Sequence, residues 1–178
     1  MKHACAMAIV LLACAVSLVA AGPGLVVTPI WRDGQVLVSF ELSDGLTAEV
    51  KDTIQSGLPT TFSYEIDVKR GTSRWFTRTL MSTTLTASVH FDNLTRRYQL
   101  SRAVDGRLEE TRQTEDQDAV RRWLTRFDQV PVLMTSALEA NGEYAVRVRV
   151  HKSPRNGWFV LPWDRSAILG NATFTFLP

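Results

Sequence analysis

Few side chains in this 178-residue chain have the type and spacing to do chemistry. Beyond the N-terminal segment there are two histidines, His90 and His151, each on the polar side of a predicted strand. They lack the helical HExxH-type spacing that would make a zinc site, so no metal is implied. No G-x-S-x-G elbow supports a nucleophilic serine, and no glycine-rich loop is built to cradle phosphate. Glu65, Asp67 and Glu41 could supply a carboxylate pair for glycoside cleavage. Acids alternating along the wet face of a strand need no such role. Catalytic residues and cofactors are therefore both read as none.

Two stretches stand out as contact surfaces. Arg147, Arg149 and His151 alternate on one side of a predicted strand, with Lys152 and Arg155 following. Three such positions span roughly 13 Å at a rise of ~3.3 Å per residue. That strip could meet an anionic ligand or an acidic partner. The plainer alternative is a solvated face paired across the sheet with Glu65 and Asp67. Trp158-Phe159-Val160-Leu161-Pro162-Trp163 is the second stretch, an apolar cluster carrying Trp158 and Trp163. It could close a ligand cavity, touch a bilayer interface or lie buried as a lid over the open end of a sheet. Membrane contact is open to it and is not required.

The elements that position these residues are mostly strands. Thr60 to Lys69 alternates, with Phe62, Tyr64, Ile66 and Val68 on one face and Ser63, Glu65, Asp67 and Lys69 on the other. A half-buried strand requires that period. Turn residues at Arg70–Ser73, a Thr- and Val-bearing run from Trp75 to Phe91, a turn at Asp92-Asn93 and a return over Thr95–Val104 complete an antiparallel meander. Before it, Leu25–Trp31 and Gln35–Leu42 flank Asp33-Gly34, a hairpin signal, and Pro29 places the first strand at an edge. Ser43-Asp44 offers caps for a short helix bearing Leu46, Val50 and Ile54, with Gly57 and Pro59 ending it.

After the meander, Asp105-Gly106 leads to a short strand over Arg107–Glu110. Thr114 with Gln117 reads as a capping box for a helix over Glu115–Phe127, whose Val120, Trp123, Leu124 and Phe127 form one apolar face. Pro131 closes that helix, and Val132–Leu138 reads as a strand. Asn141-Gly142 then predicts a hairpin into Glu143–His151, and Asn171–Leu177 reads as a last strand. The fold class that follows is mainly β. It is an antiparallel sheet forming a sandwich or partial barrel, covered by one long and one short helix.

Met1-Lys2-His3 followed by apolar residues to Ala21 has the charged start, hydrophobic centre and small-residue exit of a secretory signal. Residues 1–21 are read as a signal peptide and 22–178 as a single β-rich domain, placed in the periplasm or outside the cell. Cys5 and Cys14 both fall within the signal, so the mature chain would hold no thiol. An alternative reading makes Leu11-Leu12-Ala13-Cys14 a lipobox, although Ala15 to Ala21 stays apolar where a lipoprotein turns polar. The net charge of +2 and the export signal argue against nucleic acid.

Glu41-Leu42-Ser43-Asp44, Ile54-Gln55-Ser56-Gly57-Leu58-Pro59-Thr60-Thr61-Phe62, Leu94-Thr95-Arg96-Arg97-Tyr98 and Gly142–Val150 resemble a family of exported bacterial proteins. That family is catalogued as a domain of unknown function, and its members often lie near genes for membrane sensor kinases. The resemblance runs from about Val36 to Val150 and implies export and a coherent fold. It transfers no catalytic residue. The Trp-rich C-terminal part departs from the Pro-rich segment the pattern has before its last strand. The leading expectation is a non-catalytic binding or accessory domain of the cell envelope, acting through a protein partner. A carrier or sensor of an apolar, lipid-like ligand is the alternative, and an unrecognised hydrolase has the least support.

Overall fold

A computed structural model describes residues 24–71, 78–154 and 168–177, with side chains described to His151 in the second segment. The N-terminal segment with Cys5 and Cys14, the turn residues Thr72-Ser73 and the Trp158–Trp163 cluster lie outside the described residues.

Among the described residues, nine strands form two antiparallel sheets that pack face to face. β1 (Leu25–Arg32), β2 (Gln35–Leu42) and β7 (Arg126–Met134) make a sheet of three in the order β1-β2-β7. The other six are β3 (Thr60–Arg70), β4 (Arg78–Asp92), β5 (Arg97–Val104), β6 (Arg107–Thr114), β8 (Glu143–Pro154) and β9 (Ile168–Thr175). They run in the order β6-β5-β4-β3-β8-β9. The two helices are α1 (Ala48–Gln55), which carries the chain from β2 to β3, and α2 (Gln117–Thr125), which carries it from β6 to β7. Each helix is therefore a crossover between the sheets. This is the expected sandwich, without a closed barrel.

Period-two burial decides which face of each strand turns inward. Val36, Val38, Phe40 and Leu42 of β2 meet Phe62, Tyr64, Ile66 and Val68 of β3, all nearly or fully buried, with Tyr144, Val146, Val148 and Val150 of β8 beside them. At the centre, Phe40 lies 4.8 Å from Phe127 and 5.0 Å from Tyr64 between ring centroids, and Tyr64 lies 5.0 Å from Phe127. The Tyr64 hydroxyl donates to the Leu124 carbonyl at 2.5 Å, tying the large sheet to the end of α2. One side of the sandwich closes where β9 meets β1. A side chain at Gly170 would come within 2.6 Å of Val27 Cγ2 and 2.7 Å of the Leu25 carbonyl, so only glycine admits that approach.

The predicted apolar face of α2 is buried at Val120, Trp123, Leu124 and Phe127. Phe127, however, belongs to β7. The helix stops at Thr125 and the chain passes straight into a strand, so Pro131 sits within β7 rather than ending a helix. Proline is tolerated there because β7 is an edge strand, with a register shift between Val36 and Leu37 at its partner. With 9 residues against 8, the helix expected to be long barely exceeds α1.

Both helix starts differ from expectation. Asp116, not Thr114, caps α2, accepting from Asp118 N at 2.8 Å, while Thr114 Oγ1 accepts from Asp116 N. Thr47 caps α1, because Asp44 takes a left-handed φ of 54° and Ser43 N bonds back to the Gly24 carbonyl. The strand expected over Arg107–Glu110 continues to Thr114.

Asn141-Gly142 is not a hairpin either. β7 and β8 lie in different sheets, and a 3-10 turn over Thr135–Ala137 separates them. Asn141 takes a φ of 58°, its amide bonds to the Phe176 carbonyl, and β8 takes its register from β3 and β9.

Burial raises the Tyr64 pKa well above its usual value, with Arg102 opposing. An unfolded tyrosine ionises near pH ~10, so the contribution of Tyr64 is complete below that pH and is lost as pH rises further. Tyr64→Phe is expected to cost about 1–2 kcal/mol at neutral pH by leaving the Leu124 carbonyl unpaired. It is also expected to flatten the loss of stability above pH ~10. Urea denaturation of both proteins across that range checks the two effects together.

Candidate functional site

The outer face of the six-stranded sheet gathers the polar side chains that alternate with the core. Register sets them in rows across the strands. Thr61 pairs with Ser88, Ser88 with Ser101 and Ser101 with Thr111, one hydroxyl from each of β3, β4, β5 and β6. At a strand spacing of ~4.8 Å that row is about 14 Å long. Thr61 Oγ1 and Ser88 Oγ are 2.8 Å apart and hydrogen-bonded. The next row holds His90, Gln99 and Gln113, again by direct pairing. Together the rows line an open groove of about 390 Å³. His90 Nδ1 is buried and has no hydrogen-bond partner among the described residues. Serine, threonine and glutamine offer both donors and acceptors, so such a groove suits a polar, hydrogen-bonding partner.

The same face continues to β8, where the expected strip lies. Arg149 Nη2 contacts Glu65 Oε1 at 2.6 Å and Asp67 Oδ2 at 2.9 Å. Asp67 is only 4% exposed and also accepts from Ser82 Oγ at 2.9 Å. Arg149 therefore holds two carboxylates across the strand pair, as the plainer alternative has it. Arg147 Nε donates to Asn171 Oδ1 at 3.3 Å on the neighbouring strand. His151 stands opposite Ser63 and is exposed. Arg147, Arg149 and His151 do share one face, but Arg149 is committed to ion pairs there. Trp158 and Trp163 fall outside the described residues.

The carboxylates weighed for chemistry are separated by the fold. Glu65 and Asp67 share one guanidinium, and Glu41 lies on β2 in the other sheet. Among the described residues, no group of three or more His, Asp or Glu side chains is placed to hold a metal ion. None of their helices is long and apolar enough to cross a membrane.

The sequence pattern described as Domain of unknown function (DUF4390) matches residues 26–154, nearly all of the two sheets. The chain belongs to that family. No curated protein and no solved structure matches it. Two segments of the family stretch that are far apart in sequence meet at one end of the sandwich. Gly57, in a left-handed conformation with φ 83°, packs where a side chain would strike Asn93 Nδ2 at 2.7 Å. Asp92 anchors the adjoining turn by accepting from Thr95 Oγ1 and from the amides of Leu94 and Thr95, bonds that lower its pKa. Arg97 pairs with Glu115 at 3.0 Å, and Arg96 takes a left-handed φ of 59° before β5 begins. These family residues build a corner of the fold.

The hydroxyl row was not singled out in the sequence. Its signal was present as the alternation of Thr84, Thr86 and Ser88 on β4 and of Gln99 and Ser101 on β5. Only the pairing register aligns the rows. Arg149→Met is expected to cost about 2–3 kcal/mol, because nearly buried Asp67 loses its closer cation and keeps only the 3.9 Å contact with Lys69; the figure is discounted for that contact and for the partial exposure of Arg149 and Glu65. Arg147→Ser should stay within about 0.5 kcal/mol. Urea midpoints of the two variants check this, and equal small effects would place Arg149 among solvated surface residues.

Proposed function

We propose that this protein is a non-catalytic binding domain of the bacterial cell envelope that works by holding a protein partner against the outer face of its six-stranded sheet. The observation that carries the reading is the groove of about 390 Å³ whose floor is the register-aligned row Thr61, Ser88, Ser101 and Thr111. A row of short hydroxyls loses little side-chain entropy on contact, and with the amides of Gln99 and Gln113 it supplies hydrogen bonds along an extended polar chain. Its part on β3, β4 and β5 needs no rearrangement to receive such a chain, because the inner side of those strands is locked into the core. Export rests on the N-terminal segment, whose charged start and apolar run have the pattern of a secretory signal.

The filled interior favours this surface over an apolar ligand between the sheets. Phe40, Tyr64 and Phe127 occupy that space with ring centroids about 5 Å apart, and a ligand would have to displace them.

Ser101→Arg places a long cation in the groove from a half-buried position on the outer face, while Val26→Arg changes an exposed site on the other sheet. Each variant, checked for an unchanged melting temperature, is used as bait against envelope extract. Proteins captured by the wild type and by Val26→Arg, and lost with Ser101→Arg, are the expected result. Identical capture by all three would remove the groove from the binding surface.

A further inference from the structure

The two crossover helices leave a cleft of about 80 Å³ between them, beside the start of β5. Its floor is apolar, made by Leu46 ahead of α1, Ile54 on α1, Tyr98 on β5 and Val120 on α2, the last three buried. Its mouth is polar, with Lys51 and Gln55 from α1 and Gln117, Asp118 and Arg121 from α2. Successive residues of a strand face opposite ways, so Tyr98 lines this cleft while Gln99 lines the groove on the outer face. The cleft is a separate site.

Size limits what can enter it. Pockets for drug-sized ligands run from roughly 300 Å³ upward, and an apolar cavity of ~150 Å³ holds a benzene ring. About half that space takes one branched aliphatic group of about three or four carbons, the side chain of valine or leucine.

Charge selects what stands beside that group. Lys51 is exposed and has no ion pair among the described residues. Glu49 and Asp52 lie only two positions and one position from it on α1, so they do not share its face of the helix. Arg121 pairs with Asp118 at 3.5 Å, which leaves Lys51 as the uncompensated charge at the mouth. Gln55 and Gln117 add side-chain amides, each able to donate to a carbonyl and to accept from an N–H.

We infer that the cleft captures the C-terminal residue of a partner polypeptide. Its leucine- or valine-sized side chain fills the cavity, its α-carboxylate meets Lys51, and its peptide group meets Gln55 and Gln117. An apolar side chain within a longer chain would leave Lys51 unused, and a free short-chain acid would leave the glutamines unused. Recognition of a free carboxylate restricts the site to a chain end. The inference stands on this cleft alone and does not require the outer-face groove.

Titration of the protein with N-acetyl-glycyl-leucine, followed through backbone amide shifts by two-dimensional NMR, tests it. A Kd of about 1 mM is expected for so small a ligand, with the shifts centred on Ile54, Tyr98 and Val120. The same peptide as its C-terminal amide should bind more weakly by roughly three- to fivefold, the upper range for an exposed ion pair. Lys51→Gln should weaken the acid by the same factor and leave the amide unchanged, while Lys51→Arg should keep the preference for the acid. Because Lys51 is exposed, both variants should keep the wild-type melting temperature. Absence of shifts at the cleft residues overturns the inference, as does equal binding of acid and amide by the wild type. Isocaproate, which carries the side chain and carboxylate without the peptide group, should bind more weakly than the peptide; equal binding would overturn the chain-end reading. The probe is a defined peptide, so failure would leave the groove reading standing.

Discussion

The structure depends on one knot of side chains where the two sheets and α2 meet. Phe40 from the small sheet, Tyr64 from the large one and Phe127 at the start of β7 stack at the centre. Arg102 closes the knot from β5. Its guanidinium lies 4.3 Å from the Trp123 ring and 4.2 Å from the Phe127 ring, and Nη2 donates to the carbonyls of Trp123 and Arg126, both at 2.7 Å. A cation at the end of a helix satisfies carbonyls that have no intrahelical partner and meets the negative end of the dipole. Burial lowers the Arg102 pKa from its usual value, and Glu110 is the largest opposing influence. This one arginine fixes where α2 ends and where β7 begins.

That knot explains why one face of the large sheet is free to serve as a surface. Each strand from β3 to β5 commits its inward residues to the core, so backbone position and register are set from within. The outward residues then need not contribute to stability, and they are short hydroxyls and amides over much of β3, β4 and β5. Where the outer face does carry charge, at Arg149 with Glu65 and Asp67, the charges are tied to one another. A surface settled by its reverse side is preorganised, and preorganisation lowers the entropic cost of binding.

Much of the fold was legible in the sequence because alternation and turn chemistry are local. Phe62, Tyr64, Ile66 and Val68 announced β3, and Asp33-Gly34 and Asp105-Gly106 turn where their residue types require. The failures share a cause in long-range structure. Phe127 continues the helical apolar spacing, yet Arg102 ends α2 before it, and nothing near residue 127 signals an arginine from β5. Asn141-Gly142 has the residues of a tight hairpin, but the strands on either side of it belong to different sheets. The proposed contact surface was half legible. Arg147, Arg149 and His151 were correctly placed on one face, while the bond from Arg149 to Asp67 and the alignment of Ser88 with Ser101 exist only through strand pairing.

The central claim is that this protein meets its partner through the outer face of the six-stranded sheet. Site-specific photo-crosslinking in living cells tests it most directly, with a photoreactive amino acid placed at Ser101 in the groove or at Val26 on the opposite sheet. A discrete crosslinked product from position 101, and none from position 26, is the predicted result. Products from position 26 alone would show the partner on the other face and contradict the account.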